Sequence, residues 1–196
     1  MEEQNTDRRV RKTRAQLRQA LTALLREKSA REITVRELAE RADVNRGTFY
    51  RHYRDIPDML EQLQGEVVAE FEAVFNAYTT SDLRRGLGPI LQDVFCLVEK
   101  HADLCGAFLG SGDNDLFFQV LSGLINRKVR REWSDFGSPG AAVIRDYCLD
   151  FTVAGAVGLV RSWLEKGDRE SPEEMAALAE RLICFGVVPQ LEPGRA

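Results

Sequence analysis

Apolar residues recur every three to four positions along almost the whole chain, the spacing that lays a stripe down one side of an α-helix. Val10, Leu17, Ala20, Leu21, Leu24 and Leu25 form one such stripe and predict a first helix over residues 7–28. Thr34-Val35-Arg36-Glu37 reads as a capping box, the threonine oxygen accepting from a first-turn amide while the glutamate reaches back. The helix it opens is short, because Ala42-Asp43-Val44 interrupts the stripe and Asn45 offers a fresh N-cap to a third helix, Arg46 to His52. Asp55 caps a long fourth helix carrying Leu60, Leu63, Val67, Phe71, Val74, Phe75 and Tyr78.

The same period predicts helices over 83–98, 103–109, 113–133 and 141–166, with Gly110-Ser111-Gly112 and Gly137-Ser138-Pro139-Gly140 as breaks. Gly167 is the expected C-terminal cap of the eighth helix. Ser171-Pro172-Glu173-Glu174 opens a ninth, with a capping serine, a proline at the first helical position and acids in the first turn. No strand-like alternation or internal repeat interrupts the pattern. The expected fold is therefore all-α with about nine helices, and residues 191–196 are expected to form a loose tail.

Two short helices joined by a tight turn, as over residues 34–53, form the helix-turn-helix arrangement, whose second helix enters the major groove of DNA. That second helix carries small, polar and basic residues that make poor core material. Gly47 lets the backbone lie close to DNA. Thr48 suits a thymine methyl or a base edge, and Arg46 suits guanine. Tyr50, Arg51 and Tyr53 suit phosphate oxygens, while Phe49 reads as the core anchor. The division this predicts is a DNA-binding domain over 1–54 and a larger helical domain over 55–190.

Charge sharpens that division. Residues 1–54 carry 14 Lys and Arg against 8 Asp and Glu, and the rest of the chain 13 against 23, so a basic head sits on an acidic body. That layout presents one end to a polyanion. Cys96, Cys105, Cys148 and Cys184 lie far apart among apolar neighbours and read as small core residues in a reducing compartment. The polar N-terminus and the lack of a long apolar run point to the cytoplasm and no membrane partner; the stretch Phe151 to Val160 falls short of the ~20 residues a span needs. No nucleophile elbow, phosphate loop or dinucleotide fingerprint is present, and His52 and His101 have no companion at metal-ligand spacing. Neither catalysis, a metal nor a cofactor is expected.

Residues 34–53, TVRELAERADVNRGTFYRHY, resemble the DNA-binding signature of the tetracycline-repressor (TetR) family, and the likeness extends over roughly residues 10–62. Residues 151–167 and 171–175 are similar to the branch typified by the dihydroxyacetone-kinase regulators. The resemblance implies that Thr34 and Arg46 to Thr48 face bases or adjacent phosphates, and that Tyr50, Arg51 and Tyr53 hold the backbone. It also implies a homodimer on a palindromic operator, built on a four-helix bundle of the two last helices. A small-molecule effector pocket among helices five to eight is implied as well. One departure stands out: the family's usual lysine at the start of the fourth helix falls on Ile56, with Arg54 as the nearest substitute.

The residues themselves also favour a dimer. The helix over 141–166 is apolar on all sides and so needs cover on all sides. Gly155 and Gly158 permit close approach, Trp163 adds area, and Met175, Leu178 and Leu182 lie along a stripe on the last helix. Those stripes either finish a monomeric bundle or meet a second copy, and the second is the expectation. Phe95, Phe108, Phe117, Leu121, Tyr147 and Phe151 are the candidates to line an effector cavity, with Tyr147 and His101 as polar handles; the alternative is rings that fill a solid core. The expected function is a ligand-responsive repressor. The alternative, left open by Ile56, is a co-activator or adaptor working through another regulator.

Overall fold

The computed structural model describes residues 2–110, 115–132, 142–166 and 169–185. Among them ten α-helices form and no strand does: α1 (Glu2–Leu25), α2 (Val35–Arg41), α3 (Arg46–Tyr50), α4 (Ile56–Ala77), α5 (Thr80–Arg85), α6 (Gly88–Lys100), α7 (Ala102–Gly110), α8 (Asp115–Glu132), α9 (Ala142–Glu165) and α10 (Pro172–Phe185). The extra helix comes from the stretch expected as one over 83–98. Gly86 adopts a φ of +155°, a value side chains rarely tolerate, and splits the stretch into α5 and α6. The glycine cap expected at Gly167 and the glycine-proline break at 137–140 lie outside the described residues.

The chain divides into two compact units, Met1–Glu66 with Asp103–Asp115, and Val67–Ala102 with Leu116–Ala196. In the first, Leu17, Leu21, Leu24 and Leu25 of α1 are buried together with Leu38, Phe49, Met59 and Leu63. Each such side chain contributes about 1.5–3 kcal/mol by leaving water. Two ion pairs tie the turn that follows α1 to α2: Lys28 reaches both oxygens of Glu37 at 2.6 Å, and Arg41 holds both oxygens of Glu27 at 2.6 and 3.0 Å. The pair with Glu37 also corrects the capping expected at Thr34. Its hydroxyl does accept from the Glu37 amide, but the Glu37 carboxylate has turned to Lys28 instead of back to the cap. Reciprocal boxes form at Ser29 with Glu32, at Thr79 with Asp82, and at Ser171 with Glu174.

In the second unit α10 packs along α6. Glu180 accepts from the amides of Leu87 and Gly88 at 2.9 and 2.7 Å, filling the open donors at the start of α6 with a negative charge where the helix dipole favours one. Phe95 meets Trp163 edge-on at 5.4 Å, and the Trp163 indole donates to the Glu170 carbonyl. His101, buried at the end of α6, lies 3.1 Å from Glu70, which also accepts from Lys100. Burial pushes the Glu70 carboxyl up, but those two partners outweigh it and hold the group below its ordinary range.

The cysteines depart from expectation. Cys105 is buried, and desolvation lifts its thiol to about 12, whereas Cys96, Cys148 and Cys184 are exposed. Cys96 follows the buried Phe95 directly, and one residue along a helix turns a side chain about 100° away from the core.

Candidate nucleic-acid interface

The helix-turn-helix is built by its caps. α2 ends where the Val44 amide bonds back to the Ala39 carbonyl and Asp43 takes a left-handed φ of 52°, which aspartate tolerates better than most residues. Asn45 then accepts from the Gly47 amide at 2.8 Å and starts α3 after a three-residue turn. Phe49 is fully buried and seats α3 on the head, which turns the opposite side of the helix outward.

That outward side carries Arg46, Gly47 and Tyr50, all exposed, with Thr48 half-buried beside them. A Cβ on Gly47 would lie 3.2 Å from the Asn45 side chain, so the bare backbone here also keeps the cap undisturbed. Arg51 donates to the Thr48 hydroxyl at 2.9 Å, which orients both side chains on one face. The Tyr50 ring stands edge-on to Phe49 at 5.5 Å with 53% of the residue exposed, an apolar base with its hydroxyl free to reach out. Thr34 lies at the start of α2 with its hydroxyl engaged in the cap.

Tyr53 corrects the sequence expectation. It is 2% exposed, its ring packs against Phe49 at 5.7 Å, and its hydroxyl accepts from Arg14 at 3.3 Å. Four residues separate it from Phe49, so both face the core, and Tyr53 positions α3 from beneath instead of offering a phosphate ligand. Arg14 also donates to Gln62 and Glu66, which fastens the middle of α1 to α4. His52, half-buried beside this group, is pushed below its ordinary value by desolvation and then by the charges of Arg14 and Arg51.

The departure at the start of α4 has a structural counterpart. Ile56 is buried, and Arg54 grips Asp58 through two nitrogens at 3.2 and 3.0 Å while its guanidinium stays exposed. Arg54 therefore stands at the surface as a cation already half-neutralised.

Of the residues expected around an effector, those described do not converge. Phe95 is in the core against Trp163, whereas Tyr147 and Phe151 are each 72% exposed. The side chains of Phe108, Phe117 and Leu121 lie outside the described residues. Tyr147 and Phe151 are one turn apart on the face of α9 opposite Leu149 and Val153, which take the core. Gly155 and Gly158 continue that outer face, and a Cβ on either would meet nothing within 4 Å. Trp163 and Met175, expected at an interface, are instead 1% and 4% exposed and serve this chain's own core; Leu178 and Leu182 are half-buried. An apolar cavity of about 110 Å³ does lie in the second unit, walled by Leu83, Leu87, Ile90, Leu91, Ile125 and Val153. Lys128 is its one ionisable wall residue among the described residues, and its amine donates to the Tyr78 carbonyl.

Residues 17–63 match the bacterial regulatory proteins of the tetR family, and residues 87–184, half of the chain, match a transcriptional regulator C-terminal region of the TetR type. Over 54% of its length the chain is 30% identical to an uncharacterized HTH-type transcriptional regulator, YxbF of Bacillus subtilis, a match that spans 28% of that protein. Three solved structures share the fold. The dihydroxyacetone kinase operon activator DhaS superposes with a TM-score of 0.58 at 14% identity, over 87% of this chain and 93% of that one. A TetR transcriptional regulator from Streptococcus agalactiae gives 0.57 at 19%, over 92% and 98%. A transcriptional regulator from Aquifex aeolicus gives 0.62 at 13%, over 86% and 96%. At those identities the likeness is one of fold, and DhaS stands among these as a distant neighbour.

Proposed function

This chain belongs to the TetR family of bacterial transcription regulators and is not an enzyme, and we propose that it works as a homodimeric, ligand-responsive repressor on a palindromic operator in the cytoplasm. The observation that carries the reading is the outward face of α3, where Arg46, Gly47, Thr48, Tyr50 and Arg51 stand together on a helix seated by Phe49. Arg46 and Thr48 read base edges; Tyr50 and Arg51 hold phosphates, with Arg54 and Thr34 at the flank.

The second copy is called for by α9. Tyr147, Phe151, Gly155 and Gly158 form one exposed stripe over three turns, large rings at one end and bare backbone at the other. Leu178 and Leu182 of α10 supply the rest of the surface. Two-fold pairing here would fix the spacing of the two reading helices.

The effector site is the apolar cavity between α5, α6, α8 and α9. At about 110 Å³ it is smaller than the ~300 Å³ of ordinary ligand pockets, so binding requires it to widen. A ligand that prefers the widened form shifts the population toward that form by its difference in affinity.

Selection of duplexes from a random library by the full chain tests the reading. A palindrome should emerge, with half-sites about 34–36 Å apart or a multiple of that spacing. Recovery of no sequence above background would refute operator recognition and leave action through another regulator.

A further inference from the structure

The apolar cavity of the second unit has a smaller neighbour. A void of about 40 Å³ adjoins it, and Leu91, Val94, Ile125 and Ala156 line both. The void lies one helical turn along from the cavity: it has Phe71 where the cavity has Phe75 on α4, and Val157 where the cavity has Val153 on α9. Turning the shared branched side chains joins the two into one channel. The joined space approaches the ~150 Å³ of an apolar cavity that takes up benzene. Charge is confined to one end of it. Lys128 is a wall residue of the cavity and not, among the described residues, of the void, and the shared Ile125 stands one turn before it on α8. The half-buried Lys128 amine donates to the Tyr78 carbonyl at 3.1 Å. The other polar wall residue, Thr152, spends its hydroxyl on the Cys148 carbonyl at 2.7 Å. The channel therefore offers a ligand a cation at one end and hydrocarbon along the rest.

We propose that the effector is a small monocarboxylic acid with an unbranched apolar tail, its carboxylate on the Lys128 ammonium and its tail running past Ile125 toward Phe71. This rests on the effector reading of the cavity above. A carboxylate competes well for the amine, because its charge adds an attraction that the neutral Tyr78 carbonyl lacks. One cation balances one negative charge. A phosphate monoester carries up to two, and Asp93, whose carboxylate accepts from the Tyr78 hydroxyl at 2.7 Å, repels the excess. A void of about 40 Å³ suits the end of a chain better than a ring.

The test is calorimetric titration of the full chain with butanoate, hexanoate and octanoate, and with the matching primary amides, which keep the shape and lose the charge. Affinity should rise about threefold to fourfold per added methylene while the tail fills the channel. Octanoate should bind at least about tenfold more tightly than octanamide. Lys128→Met keeps an apolar stem in the wall and a good helix former in α8. It should weaken octanoate at least about tenfold and leave octanamide within about twofold, while Lys128→Arg should retain the preference for the acid. Acid and amide of equal affinity in the wild type overturn the proposal whatever the variants do, and leave the cavity as an effector site for neutral ligands. A preference for octanoate that survives Lys128→Met assigns the acid to another site and likewise overturns it. Octyl phosphate that binds more tightly than octanoate, and loses that affinity in Lys128→Met, overturns the monocarboxylate in favour of a dianion. Binding of neither series refutes the effector reading together with the proposal.

Discussion

Replacing Tyr53 by phenylalanine separates two jobs that the sequence alone assigns to one residue. The ring is 2% exposed and packed on Phe49, so phenylalanine preserves its burial and loses only the hydroxyl that accepts from Arg14 at 3.3 Å. A bond between a neutral acceptor and a charged donor contributes about 1.5–3 kcal/mol when well formed. This one is long and partly solvated, and Arg14 keeps Gln62 and Glu66 as partners, so the expected cost is about 0.5–1 kcal/mol. In a chain of this length that lowers the melting temperature by roughly 2–4 °C per kcal/mol. DNA affinity should change less than about threefold, because the hydroxyl faces Arg14 and the stability loss leaves the head folded. Tyr50→Phe makes the contrast: an exposed hydroxyl costs nothing in stability, and removing it should weaken DNA binding about tenfold if it meets a phosphate. Calorimetric melting and fluorescence anisotropy on the enriched duplex read the two effects. A Tyr53→Phe variant that melts like the wild type yet binds DNA ten times more weakly would refute the placement of Tyr53 beneath α3.

Glu180→Ala should destabilise the chain by about 2–3 kcal/mol, because two amides at the start of α6 lose a charged acceptor; an unchanged urea midpoint would contradict this. Gly155→Leu adds bulk where a Cβ meets nothing within 4 Å in the single chain, so the helix content should persist while light scattering reports a monomer; a dimer of unchanged mass would remove α9 from the interface. His52 is held below its ordinary value of 6.5, so as pH falls below about 6.5 the unfolded chain takes up its proton before the folded one and stability declines. The decline levels off beneath the folded-state value, and His52→Gln should flatten that part of the stability curve; parallel curves for the two proteins would show that His52 is not responsible.

The parts of the site that depend on neighbours in sequence were legible there. The cap at Asn45, the turn before it and the anchor Phe49 all follow from local spacing, whereas the break at Gly86 falls inside a stretch whose apolar period runs on as one helix. Tyr53 was misassigned to a phosphate on its phenol chemistry, although a position four residues after an anchor shares the anchor's buried face. What the pattern could not supply were partners far along the chain. Lys28 turns Glu37 away from Thr34, and Glu180 arrives from more than ninety positions away to start α6. In α9 the apolar residues are spread around the helix, so periodicity leaves open which side takes the core. Leu149, Val153 and Trp163 take it, and Tyr147 and Phe151 are left outside.

The central claim is that α3 reads base edges, and base substitution in the enriched duplex tests it most directly. Each position of one half-site is changed in turn, and the loss of affinity is measured for the wild type and for Arg46→Ala. The wild type should lose about 1–3 kcal/mol at each directly read position. Arg46→Ala should bind more weakly overall, and its discrimination should vanish at one position per half-site while persisting at the others. Discrimination that is identical in the two proteins at every position would contradict the claim, whatever the overall affinity.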